Sequence, residues 1–292
     1  MSDMENIVVC QDNIQFMRSL PSKSIDLIYI DPPFFTQRDF GQFKDIWKGL
    51  EDYLNFMRPR LRECHRLLKT TGSFFLHSDW HACHYLKCEL DKVFGYKFFR
   101  NEIIWIYAGK GLKNVTKHFA RNKGSLLFYT KSDHAKLFLK NGVIPESVSK
   151  RWGKYMDSEG KITFQKLIDS GENLELKKAK ASFNRKYKRS PKPSDVARDY
   201  SKGSIINDTW SDIPIVRENR MYKEYLGYPT QKPEKLLERI IKACSNEGDI
   251  VADFFCGSGT TLVAAKKLGR SCIGCDTSEK AIKISKERLE ID

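Results

Sequence analysis

Two stretches of the chain carry residue types that chemistry needs. The first is Asp31-Pro32-Pro33-Phe34, which follows the apolar run Ile25-Asp26-Leu27-Ile28-Tyr29-Ile30. Consecutive prolines lack N–H donors and fix φ, so a central strand cannot continue through them. The strand must end at Asp31 and leave its carboxylate on the carboxyl edge of a sheet. A carboxylate, a stiff diproline carbonyl and an aromatic ring form a clamp for a planar amine, the oxygens accepting its N–H groups and the ring stacking on its face; a simple cap-and-turn is the structural alternative. The second stretch, Asp253 to Thr261, is a strand running into the turn Cys256-Gly257-Ser258-Gly259. Gly257 and Gly259 let the backbone approach a ligand closely. Asp276 follows Asp253 by 23 residues, where a ribose-binding acid stands in a nucleoside-binding βαβ unit. Position 262 is Leu, so the G-x-G-x-x-G dinucleotide fingerprint fails, and the turn lacks the Gly-Lys-Ser/Thr ending of a P-loop. A nucleoside without a pyrophosphate is the better fit.

The elements that must position these residues alternate strand and helix. Asn6 to Cys10 is a short strand with Asp12 just after it. Ile14, Met17 and Leu20 at helical spacing predict a helix from Asn13, stopped by Pro21. Residues 51–69 form a helix with Tyr53, Leu54, Met57 and Leu61 on its buried side, and Gly72 is expected to break it. Strands are expected at 73–77, 102–107 and 125–129, with a helix over 81–94. After residue 225 come a helix from Glu234 to about Ser245, a strand from Asp249, a helix over 261–268, a strand over 271–276 and a helix opened by Ser278. This alternation predicts an α/β fold with a mainly parallel, twisted sheet covered by helices on both faces.

Composition narrows the partners. Lys plus Arg outnumber Asp plus Glu by 51 to 37 in 292 residues, a formal charge of +14 that favours a polyanion, nucleic acid ahead of membrane. No apolar run approaches the roughly 18–20 residues of a membrane span, and Met1-Ser2-Asp3-Met4-Glu5 has none of the parts of a signal peptide. Lys150 to Lys223 holds 18 basic against 10 acidic residues, densest between Lys177 and Lys192, with Phe183 and Tyr187 interleaved. Residues 133–225 are therefore expected to be an inserted, partly irregular basic module between a half at 1–132 and a half at 226–292 of one domain. Of eight cysteines only Cys272 and Cys275 form a C-x-x-C, and three apart on a strand they point to opposite faces, so neither zinc nor a disulfide is expected and a reducing, cytoplasmic setting fits. His77, Asp79, His81 and His84 lack the spacing of a metal site and are expected to form a loop and helix beside the clamp. Tyr107 is expected to pack as a buried aromatic.

With these residues in view, Asp31-Pro32-Pro33-Phe34 and Asp253 to Gly259, together with Asn101-Glu102-Ile103-Ile104-Trp105 and Tyr228-Pro229-Thr230-Gln231-Lys232-Pro233, resemble the S-adenosylmethionine-dependent DNA amino-methyltransferases, in the motif order of their beta group. The resemblance covers about 1–130 and 205–292. It departs at Phe254, where the family usually has Pro, and at Phe34, where Tyr is commoner. It implies a Rossmann-like methyltransferase fold in circularly permuted order, in which strands ending in Asp253, Asp276, Asp12 and Asp31 line one sheet edge. Carried over, Asp31, Pro32, Pro33 and Phe34 would be catalytic; Asp253, Phe255, Cys256, Gly257 and Gly259 would shape the methionine end of the cofactor pocket. Thr230 and Lys232 would hold the cofactor's carboxylate, Asp276 the ribose hydroxyls and Asp12 the adenine amine, while also capping a helix. The implied activity is methylation of the N6 amine of a flipped adenine in double-stranded DNA, with N4-cytosine methylation or a catalytically silent DNA-binding subunit as the alternatives. The basic module would recognise DNA through Lys177, Lys178, Lys180, Arg185, Lys186, Lys188 and Arg189. A second copy of the chain and a cognate restriction endonuclease are further candidate partners.

Overall fold

The computed structural model describes residues 6–107, 119–138, 146–201, 205–216 and 224–291. In chain order the strands are β1 (Ile7–Cys10), β2 (Ile25–Ile30), β3 (Arg38–Asp39), β4 (Lys44–Asp45), β5 (Leu68–Ser78), β6 (Phe99–Ile106), β7 (Lys123–Thr130), β8 (Lys161–Thr163), β9 (Val196–Asp199), β10 (Thr209–Trp210), β11 (Ile250–Asp253) and β12 (Ser271–Asp276). The helices are α1 (Asn13–Ser19), α2 (Leu50–Leu67), α3 (Cys83–Phe94), α4 (Glu146–Trp152), α5 (Phe164–Asp169), α6 (Leu174–Tyr187), α7 (Glu234–Cys244), α8 (Thr260–Lys267) and α9 (Glu279–Leu289). Among them no helix is long and apolar enough to cross a membrane.

Eight strands form one sheet in the order β1-β12-β11-β2-β5-β7-β6-β10. Every neighbouring pair is parallel except those of β7, which runs against both β5 and β6. The sheet is thus mainly parallel, as the alternation predicts. All six residues of β2 are buried, as a central strand covered on both faces requires. Its one acid, Asp26, is matched: Lys69 Nζ donates to Oδ2 at 2.6 Å and the Ile250 N–H at 3.0 Å. From β11 the chain moves outward to β12 on one side, and from β2 it moves to β5 on the other. A topological switch therefore lies between β11 and β2, where α/β sheets open a ligand crevice at the carboxyl edge.

Two boundaries differ from expectation for physical reasons. β5 starts at Leu68, so Gly72 lies inside a strand rather than ending a helix. The pairing slips there from Ile25↔Leu68 to Leu27↔Ser73, and a Cβ on Gly72 would stand 3.1 Å from the Asp26 carbonyl and 2.9 Å from Leu68 Cδ2. The glycine makes room for the irregularity. The chain also divides into one unit of Met1–Phe138 with Asp208–Asp292 and another of Leu139–Asn207, a narrower insertion than 133–225. The residues on either side of it are tied into the larger unit: Lys131 N–H bonds the Gly72 carbonyl, Phe138 N–H that of Ala243, and β10 pairs with β6.

The smaller unit has its own core of Trp152, Tyr155, Ile162, Phe164, Leu167, Leu176 and Phe183 around the antiparallel pair β8–β9. The basic run from Lys177 to Lys186 lies on helix α6, capped by the Asn173 side chain on the Leu176 N–H, and Lys188, Arg189 and Lys192 follow beyond its end.

At the start of α8, Gly259 has φ +76°, and a Cβ there would meet Ser285 of α9 at 2.6 Å (Oγ), 2.9 Å (Cβ) and 3.1 Å (Cα). Part of that wall is backbone, so the neighbour cannot simply rotate away. Gly259→Ala is expected to destabilise the protein by about 1–3 kcal/mol through overpacking, with strain from the left-handed backbone added. Urea unfolding with an unchanged midpoint would show that α9 gives way freely.

Candidate active site at the carboxyl edge of the sheet

A cavity of about 340 Å³ opens at the switch between β11 and β2. Asp12, Asp31, Pro32, Pro33, Phe34, Thr230, Lys232, Asp253, Phe255, Cys256, Gly257 and Asp276 all line it. Gly259 does not: its missing side chain serves helix packing rather than a ligand. Gly257, at φ +50°, is where a Cβ would enter the cavity wall, 3.2 Å from the Tyr228 ring.

Acids beyond the parallel strands share one local arrangement. The N–H two residues on donates to the carboxylate: Ile14 to Asp12 at 2.9 Å, His81 to Asp79 at 2.9 Å, Phe255 to Asp253 at 3.0 Å and Ser278 to Asp276 at 3.0 Å. This is an Asx turn. Asp31 is the exception, because the residue two positions on is Pro33 and has no N–H. Its Oδ2 accepts from Lys232 Nζ, while Oδ1 is buried without a hydrogen-bond partner. Burial raises the affinity of Asp31 for a proton, partly offset by the adjacent Lys232 charge. Lys232, expected to hold a cofactor carboxylate, thus bonds Asp31 and the Thr230 carbonyl at 3.2 Å, its Nζ 5.4 Å from the centre of the Phe34 ring.

Behind Asp31, Tyr29 Oη lies 3.0 Å from His77 Nδ1, which is 3.6 Å from Asp31 Oδ1. His77 is buried, which pushes its pKa well below the usual imidazole range and keeps it neutral, with Lys232 adding to the effect. The His77 ring packs 5.6 Å from Phe34 and 5.7 Å from Trp105. His81 Nδ1 contacts Asp79 at 2.8 Å, so the histidines go to separate partners. Tyr107 is only partly buried, its hydroxyl donating to the Lys123 carbonyl at 3.0 Å.

On the β11–β12 side, Asp276 Oδ2 accepts from the Gly257 N–H at 2.9 Å, and Asp253 Oδ2 from the Thr261 hydroxyl at 2.6 Å. Each keeps lone pairs for a ligand. Asp253 is 2% exposed, and burial with Asp31 and Asp276 nearby pushes its pKa up to about 7. Asp12 caps α1 as expected, but its second oxygen accepts from Arg60 Nη2 at 2.9 Å. Phe254, in place of the family's usual Pro, is fully buried with its ring edge-on to Phe16.

Three contributors lie outside the sequence expectations. Arg60 spans Asp12, Asn13 Oδ1 (2.6 Å) and the Phe56 carbonyl (2.8 Å), with its guanidinium 3.5 Å from the Phe56 ring centre. A charge at a buried helical phase, between Met57 and Leu61, is the signal that marks it. Tyr53 donates its hydroxyl to the Pro33 carbonyl at 2.7 Å. Asp45 accepts from the Phe34, Phe35 and Thr36 amides; nothing in the sequence pattern announces it.

In the smaller unit, Lys177, Lys178, Arg185, Lys186 and Lys188 are exposed and Lys180 partly so. Arg189 is committed, pairing with Asp195 through Nη1 at 2.7 Å and Nη2 at 2.9 Å with its guanidinium 4.8 Å from the Phe183 ring centre. Phe183 itself is core.

Comparison with known proteins gives a family model described as DNA methylase, matching residues 25–287. The chain is 29% identical to the DNA adenine methyltransferase YhdJ of Escherichia coli (strain K12), over 97% of this chain and 82% of that protein. It is 31% identical to the Type II methyltransferase M.HpaI of Haemophilus parainfluenzae, over 98% and 75%. Among solved structures, the PvuII DNA methyltransferase (cytosine-N4-specific) aligns with a TM-score of 0.61 at 16% identity, covering 98% of this chain and 86% of that one. The M1.HpyAVI-SAM complex aligns with a TM-score of 0.59 at 17% identity, covering 98% and 99%. These two share the fold.

Asp253 gives a pH signature. Its unfolded carboxyl loses a proton near the ordinary value of ~4, whereas the folded one holds it until about 7. Between these values the folded state binds the extra proton, so this group's contribution to stability falls as pH rises through the window. Asp253→Asn removes the titration and can still satisfy Phe255 and Thr261. In ligand-free protein the melting temperature of the variant minus that of the wild type should increase from pH 5 to pH 8. A flat difference would mean the carboxyl is already ionised at pH 5.

Proposed function

The chain belongs to the DNA methylase family, and on that premise we propose that it transfers the methyl group of S-adenosylmethionine to the N6 amine of a flipped adenine at a specific site in duplex DNA. One observation carries the assignment of the target side: Asp31 Oδ1 is a buried acceptor with no donor, in a residue that lines the cavity beside Pro32 and Phe34. The cofactor side fits by charge. Asp31, Asp253 and Asp276 lie close enough to raise the Asp253 pKa together with burial, an arrangement that welcomes a cation carrying ribose hydroxyls. Asp276 would take the hydroxyls, Asp253, Phe255, Cys256 and the Gly257 backbone would bound the methionine end, and Asp12 with Arg60 would face the adenine. Thr230 and Lys232 complete the proposed cofactor wall.

An exocyclic amine is a weak nucleophile because its lone pair is delocalised into the ring. Asp31 and the Pro32 carbonyl, each accepting one amine hydrogen, free that lone pair, and Phe34 holds the base face. Bound S-adenosylmethionine supplies an electrophilic methyl on its sulfonium. Asp31, with its proton affinity raised by burial, would receive the proton the amine sheds. Orientation and fixed charge carry most of the acceleration. Extrusion of the base costs a few kcal/mol, offset by phosphate contacts from the exposed basic face of α6.

The relative named as an adenine methyltransferase supports adenine over cytosine. Relatives named Type II methyltransferases support a cognate restriction endonuclease as a partner, a second copy of the chain being a further candidate. All eight cysteines are free thiols, which suits the cytoplasmic location proposed with this function.

Asp31→Ala should lower methyl transfer by about 100- to 1,000-fold, as loss of a group that stabilises developing charge does, while calorimetric cofactor affinity persists. Equal losses in both would move Asp31 to the cofactor site. Mass analysis of nucleosides from methylated DNA should show N6-methyladenine; N4-methylcytosine would select the other amine.

Replacing Lys177, Lys178, Arg185 and Lys186 together by Ala should weaken binding to all DNA sequences alike. The slope of log affinity against log salt should shrink by about 0.9 for each phosphate that the variant no longer neutralises. An unchanged slope would remove α6 from the interface.

A further inference from the structure

Five donors converge on the Asp45 carboxylate at the end of β4. Oδ2 accepts from the Phe34 N–H at 3.1 Å, the Thr36 N–H at 2.8 Å and the Thr36 hydroxyl at 2.6 Å. Oδ1 accepts from the Phe35 N–H at 2.9 Å and the Trp47 indole at 2.7 Å. The residue is 1% exposed, and among the described residues no Lys or Arg pairs with it. A carboxylate offers about four lone-pair sites, so this one is saturated. Burying an anion without a cation is costly and persists only where donors are fixed around it.

Three of those donors are consecutive amides following Asp31-Pro32-Pro33. Successive N–H groups reach one centre only where the backbone curls, and Phe35 does so at φ +66°, a conformation an L side chain leaves unless held. Tyr53 fastens the Pro33 carbonyl from the other side at 2.7 Å. The Pro33 carbonyl and the amides of Phe34, Phe35 and Thr36 are thereby tied down, while among the described residues neither Asp31 Oδ1 nor the Pro32 carbonyl receives a hydrogen bond.

We propose that Asp45 is a positioning residue for methyl transfer: by gathering the amides of residues 34–36 it fixes the Pro32 carbonyl and the Phe34 ring relative to Asp31. The proposal rests on the reading of Asp31 to Phe34 as the target-amine clamp. Asp45 lines the same cavity, but both its oxygens are taken up by the 34–36 loop and the Trp47 indole, so it acts through the loop. Its role is in rate rather than affinity, because the bonds it makes set where two acceptors stand.

Asp45→Asn tests it. Whichever way the carboxamide faces, its NH₂ confronts donors. With S-adenosylmethionine and a duplex bearing the target site, the single-turnover rate should fall about 100-fold, the scale expected when reacting groups are misplaced by about 1 Å. Dissociation constants for cofactor and DNA should stay at wild-type values. Combined with Asp31→Asn, the double variant should be no slower than the slower single one, because both act on one unit. Thr36→Val and Trp47→Phe each remove one peripheral donor and should give smaller rate losses; they decide the matter if Asp45→Asn fails to fold. A wild-type rate in Asp45→Asn, or in both peripheral variants, overturns the proposal. So does multiplicative loss in the double variant, or a rate loss matched by weaker cofactor binding. If Asp31→Ala itself transfers methyl at the wild-type rate, the clamp reading has failed; if Asp31→Ala is inactive while Asp45→Asn is normal, only the role of Asp45 has.

Discussion

An acid just beyond a parallel strand meets an N–H two residues later, and that hydrogen bond orders most of the carboxyl edge of this sheet. It settles Asp12, Asp79, Asp253 and Asp276 in fixed orientations. At Asp31 proline removes the donor, and the consequences spread outward. The carboxylate must find Lys232 across 201 residues of chain, and its other oxygen finds nothing. The following backbone cannot rest on the acid it leaves, so it curls around another, Asp45. A single missing N–H therefore separates the acid with an unpaired buried oxygen from the acids that are already partly satisfied.

Much of this was legible in the amino-acid order because it depends on local rules. Strand β2 shows as an unbroken apolar run stopped by two prolines, and β12 as a short run ended by an acid. The glycine turn and the spacing of Asp253 and Asp276 placed both acids beside one cavity. Parallel strands all deliver their carboxyl ends to one edge, so acids far apart in the chain had to meet once the sheet was inferred.

The remainder depends on distances that no local pattern encodes. Asp45 sits in a two-residue strand with no periodicity, and its importance comes from which amides curl toward it. Lys232 is expected from the motif to meet a cofactor carboxylate, and only the fold shows Asp31 within its reach. Gly257 and Gly259 are alike in sequence, yet one faces the cavity and the other Ser285, a difference set by α9. In the basic run, the 3.6-residue spacing of Leu176, Ala179 and Phe183 was masked by the lysines between them, and Arg189 is drawn to Asp195 by a turn rather than by composition.

The position of β2 in the sheet bears on how the chain acquires its structure. One flank of β2 pairs with β5, which follows within about fifty residues, but the other pairs with β11 at Ile250–Asp253. During synthesis from the N-terminus, β5 can dock early, while the opposite edge of an entirely buried strand has no native partner until the ribosome has added more than two hundred further residues. Such an edge is a template for pairing with other chains, and contacts this distant in sequence form slowly. While residues 31–249 are being added, the chain therefore carries an unpaired edge on a strand that is wholly buried once folded, the kind of transiently exposed edge that makes folding intermediates prone to aggregate.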